Sequence, residues 1–171
     1  MKPVRLGDLS VGFVHTLADA VHSHGLDPQP LLLQYGLDPA RLAEAGARLS
    51  IPRYMRLGHA AIQLSHAPAL GLHMGRLSRL SQAGLAGVTA AQAPTLGEAA
   101  RALLRFEPLY AANYRGQSRF DEDDGGAWLR FYSISPYNDY NRFVVDSVLA
   151  GWLAQLSGLV GVAKLVFRNS L

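Results

Sequence analysis

Tyr35-Gly36-Leu37-Asp38-Pro39, Leu49-Ser50-Ile51-Pro52-Arg53-Tyr54, Pro68-Ala69-Leu70-Gly71-Leu72-His73-Met74-Gly75 and Ala93-Pro94-Thr95-Leu96-Gly97-Glu98-Ala99 are phrases that punctuate helices, and they follow one another in the stretch that ends at Tyr110. Each has a local physical reading. Ser50 stands where it can cap a helix whose first turn holds Pro52, a position at which the missing amide hydrogen costs nothing. Ile51, Met55, Leu57, Ile62 and Leu64 give that helix an inward side, so it is expected from about Ile51 to His66. Thr95 followed by Glu98 matches a capping box, with the hydroxyl accepting from the amide three residues on and the carboxylate reaching back. A second strong helix is expected after it, through Ala100, Leu103, Leu104 and Phe106. Pro39, Pro68 and Pro94 sit near helix starts, and Gly25, Gly36, Gly46 and Gly75 sit where helices are expected to end.

Toward the N-terminus, Ser10 to His24 repeats Val11, Val14, Leu17, Ala18 and Val21 at helix spacing. Shorter helices fit Pro28 to Tyr35, Pro39 to Ala45 and Pro68 to Met74, while residues 77–93 fit a short helix and a tightly packed loop equally well. From Ala112 the period falls to two. Tyr114 to Phe120 and Ala127 to Ile134 flank the acidic, glycine-ended run Asp121 to Gly126, which reads as a hairpin loop. With Phe120 paired to Ala127, one face carries Tyr114, Gly116, Ser118, Phe120, Leu129 and Phe131. The opposite face carries Arg115, Gln117, Arg119, Trp128, Arg130 and Tyr132. Pro136 ends the second strand, and Asn138 or Asp139 caps a long helix to about Leu159 that is apolar most of the way round and so expected to be buried on several sides. Val162 to Arg168 alternates as a last strand. The expected fold class is α+β: a helical N-terminal half and a small antiparallel sheet, made of the hairpin and the C-terminal strand, packed under a long helix.

Composition narrows the function classes. The 171 residues fit a single domain, and 49% hydrophobic against 17% charged residues excludes disorder. That apolar surplus points to surface covered by a second protomer or by another part of the same protein, so a homodimer is expected. A net charge of +3 without a basic block is poor support for nucleic acid. With no cysteine there is no disulfide, thiolate nucleophile or cysteine metal site. No eighteen apolar residues run together, so no membrane partner and a cytoplasmic location are expected. The frames Gly-x-Ser-x-Gly, His-Glu-x-x-His, Gly-x-Gly-x-x-Gly and the phosphate loop are missing from the sequence, so neither an enzyme nor a cofactor is expected. His22 and His24 point to different sides of a helix, and the acidic run lacks the spaced ligands of a calcium loop, so no metal is expected.

The order and spacing of the quoted phrases resemble the N-terminal effector-sensing domain of AraC-type bacterial transcription regulators, the group often labelled arabinose-binding-like, with ornithine-utilisation regulators among its members. The resemblance covers roughly residues 9 to 160. It implies that a small effector shifts the domain between conformations, and that dimerisation places two C-terminal helix-turn-helix readers on spaced DNA half-sites. Those readers have no counterpart in these residues, so DNA contact is expected only through a C-terminal domain beyond this chain. The one helix-turn-helix-like spacing, Leu31 to Leu42, would present Arg41 beside Asp38 and Glu44, which suits a helix corner better than a groove lined with phosphates.

Two effector sites compete. On the inner hairpin face, small Gly116 and Ser118 lie among Tyr114, Phe120 and Phe131, where they either leave a cavity or let a helix approach closely. Asn138 and Asn141 stand at the entrance to the long helix and Asp146 in its apolar middle, where a carboxylate needs an internal arginine, a hydroxyl or a metabolite's amine as partner. The resemblance to regulators that sense basic amino acids such as ornithine implies that Asp146 meets such an amine. On the outer face, Arg115, Arg119 and Arg130 with Trp128 and Tyr132 offer guanidinium groups and rings to an anionic or nucleotide-like effector, cyclic dinucleotides included. An ordinary solvated sheet face competes with that reading, and a self-associating module that takes no ligand competes with both.

Overall fold

The computed structural model describes residues 5–44 and 46–160, so the expected strand from Val162 to Arg168 lies outside the described residues. The described chain is α+β. It runs β1 (Gly7–Ser10), α1 (Gly12–His22), α2 (Gln29–Gln34), α3 (Pro39–Ala43), β2 (Arg48–Ser50), α4 (Ile51–Ser65) and α5 (Leu70–Leu77). A 3-10 helix (Leu80–Ala83), α6 (Leu85–Ala91), α7 (Leu96–Arg105), α8 (Glu107–Tyr110), β3 (Ala111–Asn113), β4 (Arg119–Asp123), β5 (Gly126–Arg130) and α9 (Arg142–Val160) follow. The segment 77–93 therefore resolves into two short helical pieces.

The strands depart from expectation. β1 is the centre of an antiparallel three-stranded sheet of order β2-β1-β3, so the helical half contributes two strands of its own, and β4 and β5 form a separate hairpin. Strands of three or four residues show no alternation to read. In the hairpin Phe120 pairs with Leu129, not Ala127. A slip of two residues leaves the face of each side chain unchanged but moves the strand into the acidic run, so that β4 is Arg119–Asp123 in place of the expected Tyr114 to Phe120. Asp121, Glu122 and Asp123 are strand residues, and only Asp124 and Gly125 turn. Their charges are not merely solvated: Asp121 pairs with Arg130 at 3.1 Å and Glu122 with Arg101 of α7 at 2.5 Å.

The helix ends follow their signals unevenly. Thr95 Oγ1 accepts from the Glu98 amide at 3.2 Å, but the Glu98 carboxylate accepts from the Thr95 hydroxyl rather than from the backbone, so the box is half formed. Ser50 precedes α4 in extended geometry without a side-chain bond to its first turn. Leu64 points outward, 41% exposed. Gly25, Gly36 and Gly46 take positive φ at helix ends as expected, whereas Gly75 lies inside α5.

Gly75 belongs to the packing of α9. A Cβ there would stand 2.4 Å from Ala150 Cβ, one at Gly71 2.7 Å from the Phe143 carbonyl oxygen, and one at Gly58 of α4 2.2 Å from Phe143 Cδ1. These glycines open a groove into which α9 settles. α9 in turn joins two packing clusters. Phe143 and Val144 lie in the larger, built with Leu17, Tyr54, Leu57 and Leu70, and Leu156 lies in the smaller, built with Ala86, Ala99 and Leu103. Its burial is two-sided: Phe143, Val144, Trp152 and Leu156 are buried, while Val145, Leu149 and Leu153 stay partly exposed along a stripe four residues apart.

Asn138 caps α9, its Oδ1 accepting from the Tyr140 and Asn141 amides at 2.9 and 3.3 Å. Asn141, fully buried, returns the bond by accepting from the Asn138 amide at 2.7 Å and turns its Nδ2 toward Ser133 Oγ, Ser135 O and Oγ, and Pro136 O, all within 3.0 Å. It ties segment 133–138 to the helix. Asn141→Asp replaces the donor with a buried anion facing those oxygens and is expected to destabilise the chain by about 2–4 kcal/mol, read as a lower urea midpoint at neutral pH.

Candidate functional site

The seam between the two clusters is not closed. A cavity of about 80 Å³ lies there. A single water needs on the order of 10–15 Å³ on this measure, so the space suits a molecule of several heavy atoms. α9 roofs it with Val144, Ser147, Val148, Gly151 and Trp152. Leu9, Phe13 and Tyr54 come from the side of the larger cluster, Ala83, Glu107 and Tyr110 from the smaller. Phe131, Tyr132, Ser133 and Ile134 line a further side, and Phe131 meets the Trp152 ring edge-on at 5.9 Å.

Most polar groups in this wall are engaged within the chain. Gln82 Nε2 donates to Thr16 Oγ1 at 2.6 Å, Asn113 Nδ2 to the Tyr132 carbonyl at 2.8 Å, and the Tyr110 hydroxyl to the Leu103 carbonyl at 3.1 Å. The Tyr54 hydroxyl faces Met74 Sδ at 3.3 Å, and burial pushes its ionisation far above the usual tyrosine range. Glu107 differs. It is 9% exposed, its Oε1 accepts from Ser118 Oγ at 2.9 Å and its Oε2 from the Ser118 amide at 3.4 Å, and it takes part in none of the ion pairs among the described residues. Burial pushes its carboxyl above the usual range, and the two bonds from Ser118 pull it back only in part.

A raised acid pKa means that the folded chain holds its proton more tightly than the unfolded one, so this group's contribution is most favourable below the unfolded value of 4.5 and is lost as pH rises through the folded one. Glu107→Gln is therefore expected to raise the urea midpoint at pH 8 by more than at pH 4, since the amide removes a buried charge present only at the higher pH.

The proposed inner-site residues separate. Phe131 and Asn141 reach the cavity wall, Asn141 with its amide already spent, and Ser118 stands one bond behind it as the support of Glu107. Tyr114 is elsewhere: its hydroxyl donates to Asp8 Oδ2 at 2.8 Å beside Arg48, in an open polar depression on the three-stranded sheet. Against the effect of burial, hydrogen bonds from Arg48 and Tyr114 hold the Asp8 carboxyl below the usual range. Asn138 is a helix cap. Asp146 lies over Gly71 away from the cavity and accepts from the Tyr137 hydroxyl at 3.0 Å, which supplies the partner its position requires. Gly116 is covered by the Tyr132 ring, 2.5 Å from where a Cβ would stand, so its smallness serves that ring.

The outer face assembles in part. Arg119 and Arg130 are cross-strand partners with Trp128 two pairs along the ladder, opposite Asp121. Asp121 already holds Arg130, and Arg115 precedes β4 in a turn in which its amide donates to Asn113 Oδ1. Tyr132 leaves that face, because strand pairing stops at Arg130 and strict alternation stops with it. The residue that sequence reasoning missed is Glu107. It sits among Leu103, Leu104, Phe106, Leu109 and Tyr110, the same pattern of a carboxylate in an apolar run that drew attention to Asp146.

Fold and cavity together define a class: a small α+β domain with room for a small molecule beneath one helix. The chain belongs to the family of N-terminal arabinose-binding domains of AraC transcription regulators, whose family model matches residues 25–168. It is similar to the ornithine utilization regulator of Pseudomonas aeruginosa, with 27% identity over 151 residues, an alignment that takes in 88% of this chain and 44% of that protein. The chain thus spans less than half the length of that relative. No helix among the described residues is long and apolar enough to cross a membrane.

Proposed function

We propose that this chain is the effector-sensing and dimerisation domain of an AraC-type regulator, and that the effector enters the cavity under α9. The observation that carries this reading is the position of the cavity. It lies at the seam of two packing clusters, and α9 places buried residues in both, Phe143 and Val144 in one and Leu156 in the other, so a molecule seated there bears on how the helix sits on each. The partly exposed stripe Val145, Leu149 and Leu153 on the same helix supports self-association, because a shift of α9 would then reach a second protomer. DNA reading belongs to residues outside those described: α3, five residues long, is too short for a recognition helix.

The test is a thermal-shift screen of amino acids, polyamines, sugars, fatty acids and nucleotides on the native chain and on Val148→Phe, which fills the cavity. The name of the similar regulator puts ornithine first in that screen. A ligand at a hundred times its dissociation constant is expected to raise the melting temperature by about 5–10 °C, and the shift should vanish in Val148→Phe. A ligand whose shift survives in the filled variant removes the cavity from the reading.

A further inference from the structure

The cavity wall pairs one buried carboxylate with apolar side chains. Glu107 is held in place by both atoms that Ser118 offers, and the wall around it is largely apolar, with Leu9, Phe13, Val144, Val148 and Trp152, while Gln82 and Asn113 are turned to partners inside the chain. Among the described residues, no arginine, lysine or histidine lines it. A site that accepted an α-amino acid would place the ligand's carboxylate in the same small space as Glu107, a like charge with no cationic side chain in the lining to balance it. A ligand with one ammonium and an apolar body meets the reverse situation. Its cation neutralises the one buried charge, its N–H groups fill the acceptor capacity that Ser118 leaves on the carboxylate, and its body replaces empty space.

From this geometry we infer that the effector is a small primary amine without a carboxylate, its ammonium on Glu107 and its apolar body under Val148 and Trp152. The inference rests on the cavity being the effector site and adds the ligand's chemical class. It also gives the Ser118 hydroxyl a role. An apolar residue there would keep the backbone amide's bond to Oε2 but remove the shorter bond to Oε1, which helps fix the direction of the carboxylate.

A matched series tests it, using pentylamine, pentan-1-ol, pentanoate, norleucine (which is pentylamine bearing an α-carboxylate) and ornithine, with calorimetry on the native chain, Glu107→Gln and Val148→Phe. Pentylamine is expected to bind the native chain most tightly and norleucine and ornithine at least tenfold more weakly. Glu107→Gln is expected to weaken pentylamine about ten- to hundredfold while leaving pentan-1-ol nearly unchanged, a result that a general loss of folding would not produce. Preference for pentanoate, pentan-1-ol or norleucine over pentylamine, or undiminished pentylamine binding by Glu107→Gln, overturns the amine assignment and leaves the cavity as the effector site. Binding that persists in Val148→Phe overturns the cavity reading itself. Absence of binding by every member of the series overturns the amine assignment.

Discussion

Phe143→Ala is expected to lower stability by about 3–5 kcal/mol, because it removes a large, fully buried ring from the larger cluster. The Phe143 ring is fully buried and meets the Tyr54 ring edge-on at 5.9 Å. What raises the expected loss toward the top of that range is the residue opposite. Gly58 has no side chain with which α4 could fill the vacated space, so relaxation would have to move helix backbone. The same geometry predicts a reversal. Gly58→Ala alone places a methyl 2.2 Å from the ring and is expected to destabilise, but in the Phe143→Ala background that methyl enters the hole and should restore part of the loss. Urea unfolding of both single variants and the double variant checks this. Additive losses would mean that the two residues do not share one space.

The parts of the fold that were legible are those in which local chemistry decides. Pro52 and the apolar rows after it placed α4 to within a residue, and Thr95 with Glu98 placed the start of α7 even though the box closed differently from the usual pattern. Asn138 capped α9 for the reason its side chain suggested. What was illegible depends on partners distant in the chain. β1, β2 and β3 are too short to show a period, and each exists only because another strand completes its hydrogen bonds. The hairpin register carries Asp121 and Glu122 into the strand, where they pair with Arg130 and Arg101, and alternation alone does not reveal those pairs. At the site, the requirement that a carboxylate in an apolar run find a partner was sound, but it applied to two residues. Asp146 found Tyr137 on the way into its own helix, whereas Glu107 found only Ser118 and a cavity. Telling them apart needs the position of the seam between the clusters.

Gly75 raises the same contrast between a local and a distant reason, and Gly75→Leu is the substitution expected to do most to the site. As a helix end Gly75 would tolerate change. As the contact on which α9 rests, it would not. A Cβ there lies 2.4 Å from Ala150 Cβ and 2.8 Å from the Gly151 amide nitrogen, and a clash with backbone cannot be relieved by turning a side chain. α9 must lift, and with it Val144, Val148 and Trp152 leave the cavity roof. Overpacking of this kind typically removes about 1–3 kcal/mol, and contact with helix backbone puts this case at or above the upper end. The effector-induced thermal shift should be lost together with that stability. Gly158 supplies the opposite sign within the same helix pair, since it lies on α9 with open space where a Cβ would go. Gly158→Ala should therefore gain roughly 0.5–1 kcal/mol from helix propensity alone. A Gly75→Leu chain that unfolds at the native urea midpoint would show that α9 is seated by something other than its contact with α5, and the cavity would then need a different roof.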